Sequence, residues 1–216
     1  MITEKYYEHR KFLNKKIERE LLGYREIETL KKVSSLIDFN FPSNGKLIDL
    51  GCNDQHIKKA TEESGLEYFG LDIDKCNFNS DKLPFENNSI DIAISLAVIE
   101  HIDNVDFYIS QIKRVLKPGG LIYLSTPNFQ ICYKNFYNDP THIKPYTPTS
   151  LEMLLAINEF RNINTFPGLR CKPNWFYKGK YRFLKAYWLL PFDGSNKYAP
   201  NFTKGRSSSV FALGIK

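Results

Sequence analysis

The stretch Lys46-Leu47-Ile48-Asp49-Leu50-Gly51-Cys52-Asn53-Asp54-Gln55, then a short helical segment, then Tyr68-Phe69-Gly70-Leu71-Asp72, constrains the fold more than any other part of the chain. An apolar strand running into a glycine turn, a helix, and a second strand ending in an acid is how open α/β sheets build a nucleotide-type site at the carboxyl ends of their strands. Only one complete glycine position, Gly51, is present where a dinucleotide fold needs Gly-x-Gly-x-x-Gly to bring the backbone against a pyrophosphate. Asp49 and Asp72, at the ends of the two strands, would repel a pyrophosphate. They suit an ammonium group and ribose hydroxyls.

S-adenosylmethionine carries both of those groups and no phosphate. Three further stretches follow in order: Leu83-Pro84-Phe85 leading to Ser89-Ile90-Asp91, then Val98-Ile99-Glu100-His101-Ile102, then Arg114-Val115-Leu116-Lys117-Pro118-Gly119-Gly120. With these, residues 40–165 resemble the class I S-adenosylmethionine-dependent methyltransferases, of the small type-11/type-23-like methyltransferase domain family. The resemblance implies an α/β, Rossmann-like, doubly wound and mostly parallel seven-stranded sheet with an antiparallel last strand. It also implies S-adenosyl-L-methionine as cofactor and S-adenosyl-L-homocysteine as product.

Carried onto this chain, the resemblance puts Asp49, Gly51, Cys52, Asn53 and Gln55 around the methionine part of the donor. Asp72 then accepts both ribose hydroxyls, with Ile73 beside it, because an ionised carboxylate accepts hydrogen bonds and donates none. Asn79 and Ser80 fall at the adenine edge, and Leu96 packs on the ring or lends its backbone. Asn53-Asp54-Gln55 departs from the commoner Gly-x-Gly. Asn tolerates left-handed backbone, but Gln55 brings a side chain where the family usually has none, so a catalytically silent scaffold stays open as a reading.

For catalysis the sequence offers two histidines and no metal-ligand pattern. His101 follows the fourth strand and either lies under the donor or hydrogen-bonds its own loop. His142, in Asn138-Asp139-Pro140-Thr141-His142-Ile143-Lys144-Pro145-Tyr146, is the base candidate, with Asp139 to orient it. The competing reading makes Asp139 and His142 a brace for the loop. Tyr146 is expected to touch the acceptor.

The net charge of +6 is unevenly spread. Residues 161–216 hold eleven Lys or Arg against one acid, Asp193, so that segment carries +10 and residues 1–160 carry −4. Such asymmetry points to an anionic partner. The basic side chains concentrate with aromatics in residues 167–206, read as an insertion that covers the acceptor, with Arg170, Lys172, Lys178, Lys180 and Arg182 gripping a phosphate or carboxylate. A small-molecule or glycan acceptor is preferred, single-stranded RNA is the alternative, and peripheral contact with an anionic membrane is a third reading.

No apolar run approaches a membrane span and the start lacks a secretion-signal core, so a cytoplasmic protein is expected. The four cysteines lie far apart and read as free thiols. The chain reads as one domain, with N-terminal helices over residues 1–40 and the core sheet in residues 44–166 and 207–216. Oligomeric state is left open.

Within that domain the expected order is two helices over residues 4–37, strands at 46–50 and 68–72, and a helix at 56–64 between them. A reduced second crossover follows, with a short strand near 76–79. Then come a strand at 90–95, an amphipathic helix at 105–117, a type II turn at Pro118-Gly119 and a strand at 121–125. A helix at 149–159, started by a capping box of Thr149 and Glu152, and strands at 162–166 and 208–215 complete the order.

Overall fold

The structure, a computed structural model, describes residues 16–167, 192–193 and 204–216. Six of its strands form one sheet: β1 (Gly45–Leu50), β2 (Leu66–Leu71), β3 (Ile90–Leu96), β4 (Leu116–Pro127), β5 (Arg161–Pro167) and, last in the chain, β8 (Ser209–Ile215). Their order is β2-β1-β3-β4-β8-β5. The first three junctions are parallel, and β8 runs antiparallel between β4 and β5. Two short strands, β6 (Phe192–Asp193) and β7 (Lys204–Arg206), pair with each other apart from this sheet. β1 lies between β2 and β3, so the chain reverses its direction of winding there and opens a crevice at the carboxyl ends of β1 and β3.

Alternation along the strands divides the core into two layers. Leu47, Ile92, Ile94, Leu121, Tyr123, Phe211 and Leu213 face one side, where they meet Ile27, Leu30, Val33 and Ile37 from helix α1 (Lys16–Ser34) and the turn after it, and Ile57 and Ala60 at the start of and within α2 (Lys58–Glu63). Ile48, Leu50, Ala93, Ile122, Leu124, Val210 and Ala212 face the other, against α3 (Val105–Val115) and α5 (Pro148–Ile157). Near-continuous apolar strands with helices on both faces are what a buried parallel sheet requires. Between these helices in the chain sits the single turn α4 (Phe129–Cys132).

The structure departs from the sequence reading at several points. Six strands, not seven, form the main sheet among the described residues: the short strand expected near residues 76–79 is irregular backbone running into a turn, so β2 remains the edge. The first of the two N-terminal helices lies outside the described residues. On the described helix Leu21 is 52% exposed, while Glu26 is buried and accepts from the Tyr123 hydroxyl at 3.0 Å. Helix α3 stops at Val115 and β4 already begins at Leu116, so the Pro118-Gly119 turn, with Gly119 at φ +79°, is a bulge inside the strand. The α5 capping box is made by Thr147 and Ser150, and Glu152 instead accepts from the Thr165 hydroxyl. The basic insertion, with Arg170, Lys172, Lys178, Lys180 and Arg182, lies outside the described residues apart from Phe192–Asp193 and Lys204–Arg206.

Helix α1 sits directly on the segment that follows β1. A Cβ at Gly23 would stand 1.9 Å from the His56 carbonyl oxygen, so only glycine permits this approach. Around it Glu20 pairs with Lys59 at 2.6 Å and the Tyr24 hydroxyl donates to Glu63 at 2.8 Å. We expect Gly23→Ala to force the helix off the loop and to lower unfolding free energy by about 2 kcal/mol or more in urea titration, because overpacking against backbone has no side chain to yield. An unchanged midpoint would mean that the helix can shift without cost.

Candidate active site

The residues after β1 form a tight cradle. Gly51, at φ +79°, donates its N–H to Leu71 O at 2.8 Å, and a Cβ on it would lie 2.3 Å from Val98 Cγ2. Both the backbone angle and the close approach require glycine there. Asn53 and Gln55 have φ of +44° and +55°, so the two positions that are commonly glycine keep left-handed backbone without it. Gln55 is half-buried, and Cys52 is buried with its thiol pushed up to about 12, mainly by burial and then by Asp49 and Asp72.

Asp72 stands just past β2, half-buried, its Oδ2 accepting from Asn53 N at 2.6 Å and its Oδ1 from Ile73 N at 2.7 Å. The acid thereby ties the β1 loop to the end of β2. Ile73 beside it is 62% exposed. Asp49 is buried, and its Oδ2 accepts from the Tyr68 hydroxyl at 2.7 Å. Removal from water pushes its carboxyl up to about 7; the Tyr68 hydrogen bond opposes this, while Asp72, Glu26 and Asp54 add to it. Tyr68 reaches Asp49 because Gly70, two residues along β2 and on the same face, has no side chain: a Cβ there would come within 3.0 Å of the phenol oxygen. Burial and the neighbouring Asp49 raise the phenol well above its usual range, so it stays a donor.

The expected adenine contacts lie in the turn after β2 and at the end of β3. Asn79 Oδ1 accepts from the backbone N–H groups of Asp103 and Asn104 at 2.8 and 2.9 Å, which gives that carbonyl to bracing the start of α3. Ser80 is exposed, its N–H closing a turn onto Asn77 O and its hydroxyl donating to Asp81. Leu96 ends β3, half-buried against the α1 side of the core.

On the other side of the crevice, the segment at 139–146 is zipped to the turn after β3. Ile143 and Lys144 both donate their N–H to Glu100 O, at 2.9 and 3.1 Å, and the buried Glu100 carboxylate accepts from the Thr126 hydroxyl at the end of β4. His142 Nδ1 lies 2.7 Å from Phe136 O; a carbonyl only accepts, so Nδ1 carries the hydrogen and Nε2 of the neutral ring keeps its lone pair. That Nε2 is 3.8 Å from Asp139 Oδ2, and each side chain is 12% exposed. Asp139 Oδ1 is held by Thr141, through its N–H at 3.0 Å and its hydroxyl at 2.6 Å.

His101 Nδ1 sits 2.9 Å from both the carbonyl and the hydroxyl oxygen of Thr141. Since the Thr141 hydroxyl hydrogen goes to Asp139, His101 Nδ1–H is the donor. The two imidazoles approach to 4.8 Å between centroids. Glu100, His101 and His142 bring potential ligand atoms within 4.8 Å of one another, a grouping that the sequence reading, which named no metal ligand, did not anticipate. Tyr146, expected at the acceptor, is 7% exposed and packs in the core, with its phenol raised by burial.

A family model described as a methyltransferase domain matches residues 24–165, more than half of the chain and all of this crevice. The chain belongs to this family, the class I S-adenosylmethionine-dependent methyltransferases. A ubiquinone biosynthesis O-methyltransferase from Pelagibacter ubique is 23% identical over 103 residues, 39% of this chain and 43% of the relative. One from Bartonella bacilliformis is 36% identical over 59 residues, 27% of this chain and 24% of the relative. The matched part thus spans less than half the length of these curated relatives. Among solved structures, a SAM-dependent methyltransferase from Archaeoglobus fulgidus superposes with TM-score 0.66 at 20% identity, covering 98% of this chain and 99% of that one, which shows the shared fold. A Haemonchus contortus phosphoethanolamine N-methyltransferase 2, in complex with S-adenosyl-L-methionine, gives 0.53 at 18% identity, covering 86% of this methyltransferase and 52% of that chain.

The cradle fits a donor of this kind on its own features. A buried carboxylate held near neutrality gains from a cation beside it, a half-buried carboxylate at the end of β2 has lone pairs beyond the two it uses, and an exposed Ile73 offers a flat apolar surface. No helix among the described residues is long and apolar enough to cross a membrane.

Proposed function

We propose that this chain transfers the methyl group of S-adenosylmethionine to a hydroxyl oxygen of a small anionic or sugar/glycan-type acceptor. The observation that carries this is His142. Its tautomer is fixed by Phe136 O, its Nε2 lone pair is available to a proton, and Asp139 lies 3.8 Å away to stabilise the charge that arrives. The donor supplies a sulfonium methyl and its own leaving group, so the chain's part is to orient donor and acceptor and to remove one proton. Orientation is worth on the order of 7–11 kcal/mol and a positioned base about 10²–10⁴-fold.

In this reading Asp49 faces the ammonium group, Asp72 takes the ribose hydroxyls, and Gly51, Cys52, Asn53 and Gln55 wrap the methionine part. Ile73 and Leu96 flank the adenine. With the Asn79 carbonyl committed to α3, the adenine edge falls to backbone groups near Asn79 and Ser80. An oxygen acceptor accords with relatives named O-methyltransferases, and the +10 charge of residues 161–216 favours an anionic one. The deciding experiment is transfer of labelled methyl from S-adenosylmethionine to a panel of phenolic, sugar and nucleotide-sugar hydroxyl compounds, with short RNA as comparison. Label on RNA alone would replace the small acceptor, and a wild-type protein that takes up no donor would leave the silent scaffold.

Asp49 gives this reading a pH signature. Its folded carboxyl is up at about 7, above the unfolded value of about 3.9, so its contribution to the stability of the free protein is greatest below about pH 4 and is lost as pH rises through about 7. Donor binding has the opposite sign, because a cation favours the ionised carboxylate. Affinity should weaken as pH falls below about 7, with up to one proton released per donor bound. Calorimetry in two buffers of different ionisation enthalpy measures that proton, and Asp49→Asn should abolish it. Equal heats in both buffers at pH 6 for the wild type would remove Asp49 from the ammonium site.

A further inference from the structure

Three non-glycine residues in succession, Asn53, Asp54 and Gln55, form the outer half of the donor cradle, and the first and third hold left-handed backbone that L side chains rarely adopt. Such a loop persists only when its surroundings over-determine it. Asn53 N is fixed by Asp72 Oδ2 at 2.6 Å and Gln55 N by Cys52 O at 2.7 Å. The residue between them, Asp54, is held from outside the sheet. Arg19 of α1 donates Nη2–H to Asp54 Oδ1 at 2.8 Å, and its Nε lies in ion-pair contact with Oδ2 without a second hydrogen bond, so one directed bond and the charge hold the carboxylate. Arg19 is 23% exposed in its side chain and Asp54 36%, so the pair is partly shielded from solvent. Four residues along the same helix, Gly23 touches the His56 backbone and fixes the distance at which Arg19 works.

We propose that Arg19 is a positioning residue for the donor site, a clamp that holds residues 53–55 in the shape that receives S-adenosylmethionine. The inference rests on the methyltransferase reading above and adds to it an element of the N-terminal helix that lies outside the matched residues 24–165. Electrostatics alone predicts the reverse effect. Asp49, Asp54, Asp72 and Glu26 make the cradle acidic, and removing a cation from its rim would strengthen attraction for a cationic donor. The sign of the Arg19→Ala effect therefore separates a clamp from a bystanding charge.

The test measures S-adenosylmethionine affinity by calorimetry and amide hydrogen exchange of residues 51–57 in the same variants. Arg19→Ala should raise Kd about five- to tenfold and speed exchange in the loop, and Arg19→Lys, which keeps the charge but loses the directed Nη2–H bond of the planar guanidinium, should recover only part of this. Glu20→Gln, which breaks the neighbouring pair with Lys59, should leave Kd unchanged. When Asn53 and Gln55 are both changed to Gly the loop needs no clamp, and Arg19→Ala added to that background should cost less than about twofold. Unchanged or tighter binding in Arg19→Ala, or an equal loss in the glycine background, overturns the clamp. If the wild type takes no donor while Arg19→Ala still loosens the loop, the clamp stands and the donor reading falls.

Discussion

Replacing Asp72 with alanine is expected to weaken S-adenosylmethionine binding by about 100-fold or more in a calorimetric titration, the largest loss at any single position of the cradle. A carboxylate that accepts two hydroxyl hydrogens makes two charge-assisted bonds, each worth about 1.5–3 kcal/mol, and the lower end of that sum, about 3 kcal/mol, is already more than a hundredfold in Kd. The substitution also releases Asn53 N–H, now held at 2.6 Å, and Ile73 N–H, held at 2.7 Å, so the β1 loop loses its tie to the end of β2. Asp72→Asn separates the two contributions. Its Oδ1 can still accept one backbone N–H while the charge is gone, so binding should fall less than in the alanine variant and the fold should keep its thermal midpoint. Donor affinity in Asp72→Ala within a few-fold of wild type would place the ribose elsewhere and dismantle the orientation proposed for the donor.

The reason Asp72 could be named from sequence is that its position follows from period and topology, which short-range patterns encode. An apolar strand, a glycine turn and a second strand ending in an acid leave one geometry for that acid once the sheet is parallel. The same logic gave Gly51, which Val98 and a positive φ both require. What could not be read was who partners whom across the sheet. Tyr68 reaches Asp49 because of the register Asp49↔Gly70, and the Asn79 carbonyl is taken by Asp103 and Asn104, residues 24 and 25 positions away. Tyr146, a polar aromatic beside a histidine loop, looked like a substrate contact, and its burial follows only from the bridge between Asn128 and the Tyr146 backbone that draws it under the sheet's end.

Glu100 shows the same limit. Its backbone carbonyl anchors Ile143 and Lys144 and its carboxylate meets Thr126, three contacts at sequence separations of 43, 44 and 26, none visible in a local pattern. The missing sheet-edge strand was legible in one respect, since too few residues separate Asp72 from Leu83 for a full helix. Whether the remainder would pair or turn depends on Phe78, Cys76 and Leu83, which bury themselves against α3 without adding a strand.

Replacing His142 with alanine is expected to lower kcat for methyl transfer by about 10²–10⁴-fold while leaving donor affinity within about twofold of wild type. The proposed role as base rests on the second ring nitrogen. Here Nδ1–H is given to Phe136 O, and Nε2 is left with a lone pair 3.8 Å from the Asp139 carboxylate, which Thr141 orients. Ring contacts to Phe136 at 4.5 Å and to His101 at 4.8 Å between centroids keep the imidazole plane fixed. Imidazole added to the His142→Ala enzyme should restore part of the lost turnover, because the space vacated is the size of the missing base and Asp139 remains to steady the protonated ring. Asp139→Asn should lower kcat by a smaller factor than His142→Ala without raising the acceptor KM. Turnover that survives His142→Ala intact would make the ring a strut for the 139–146 loop, and loss of turnover together with donor affinity, unrelieved by imidazole, would assign the same structural role through collapse of the crevice.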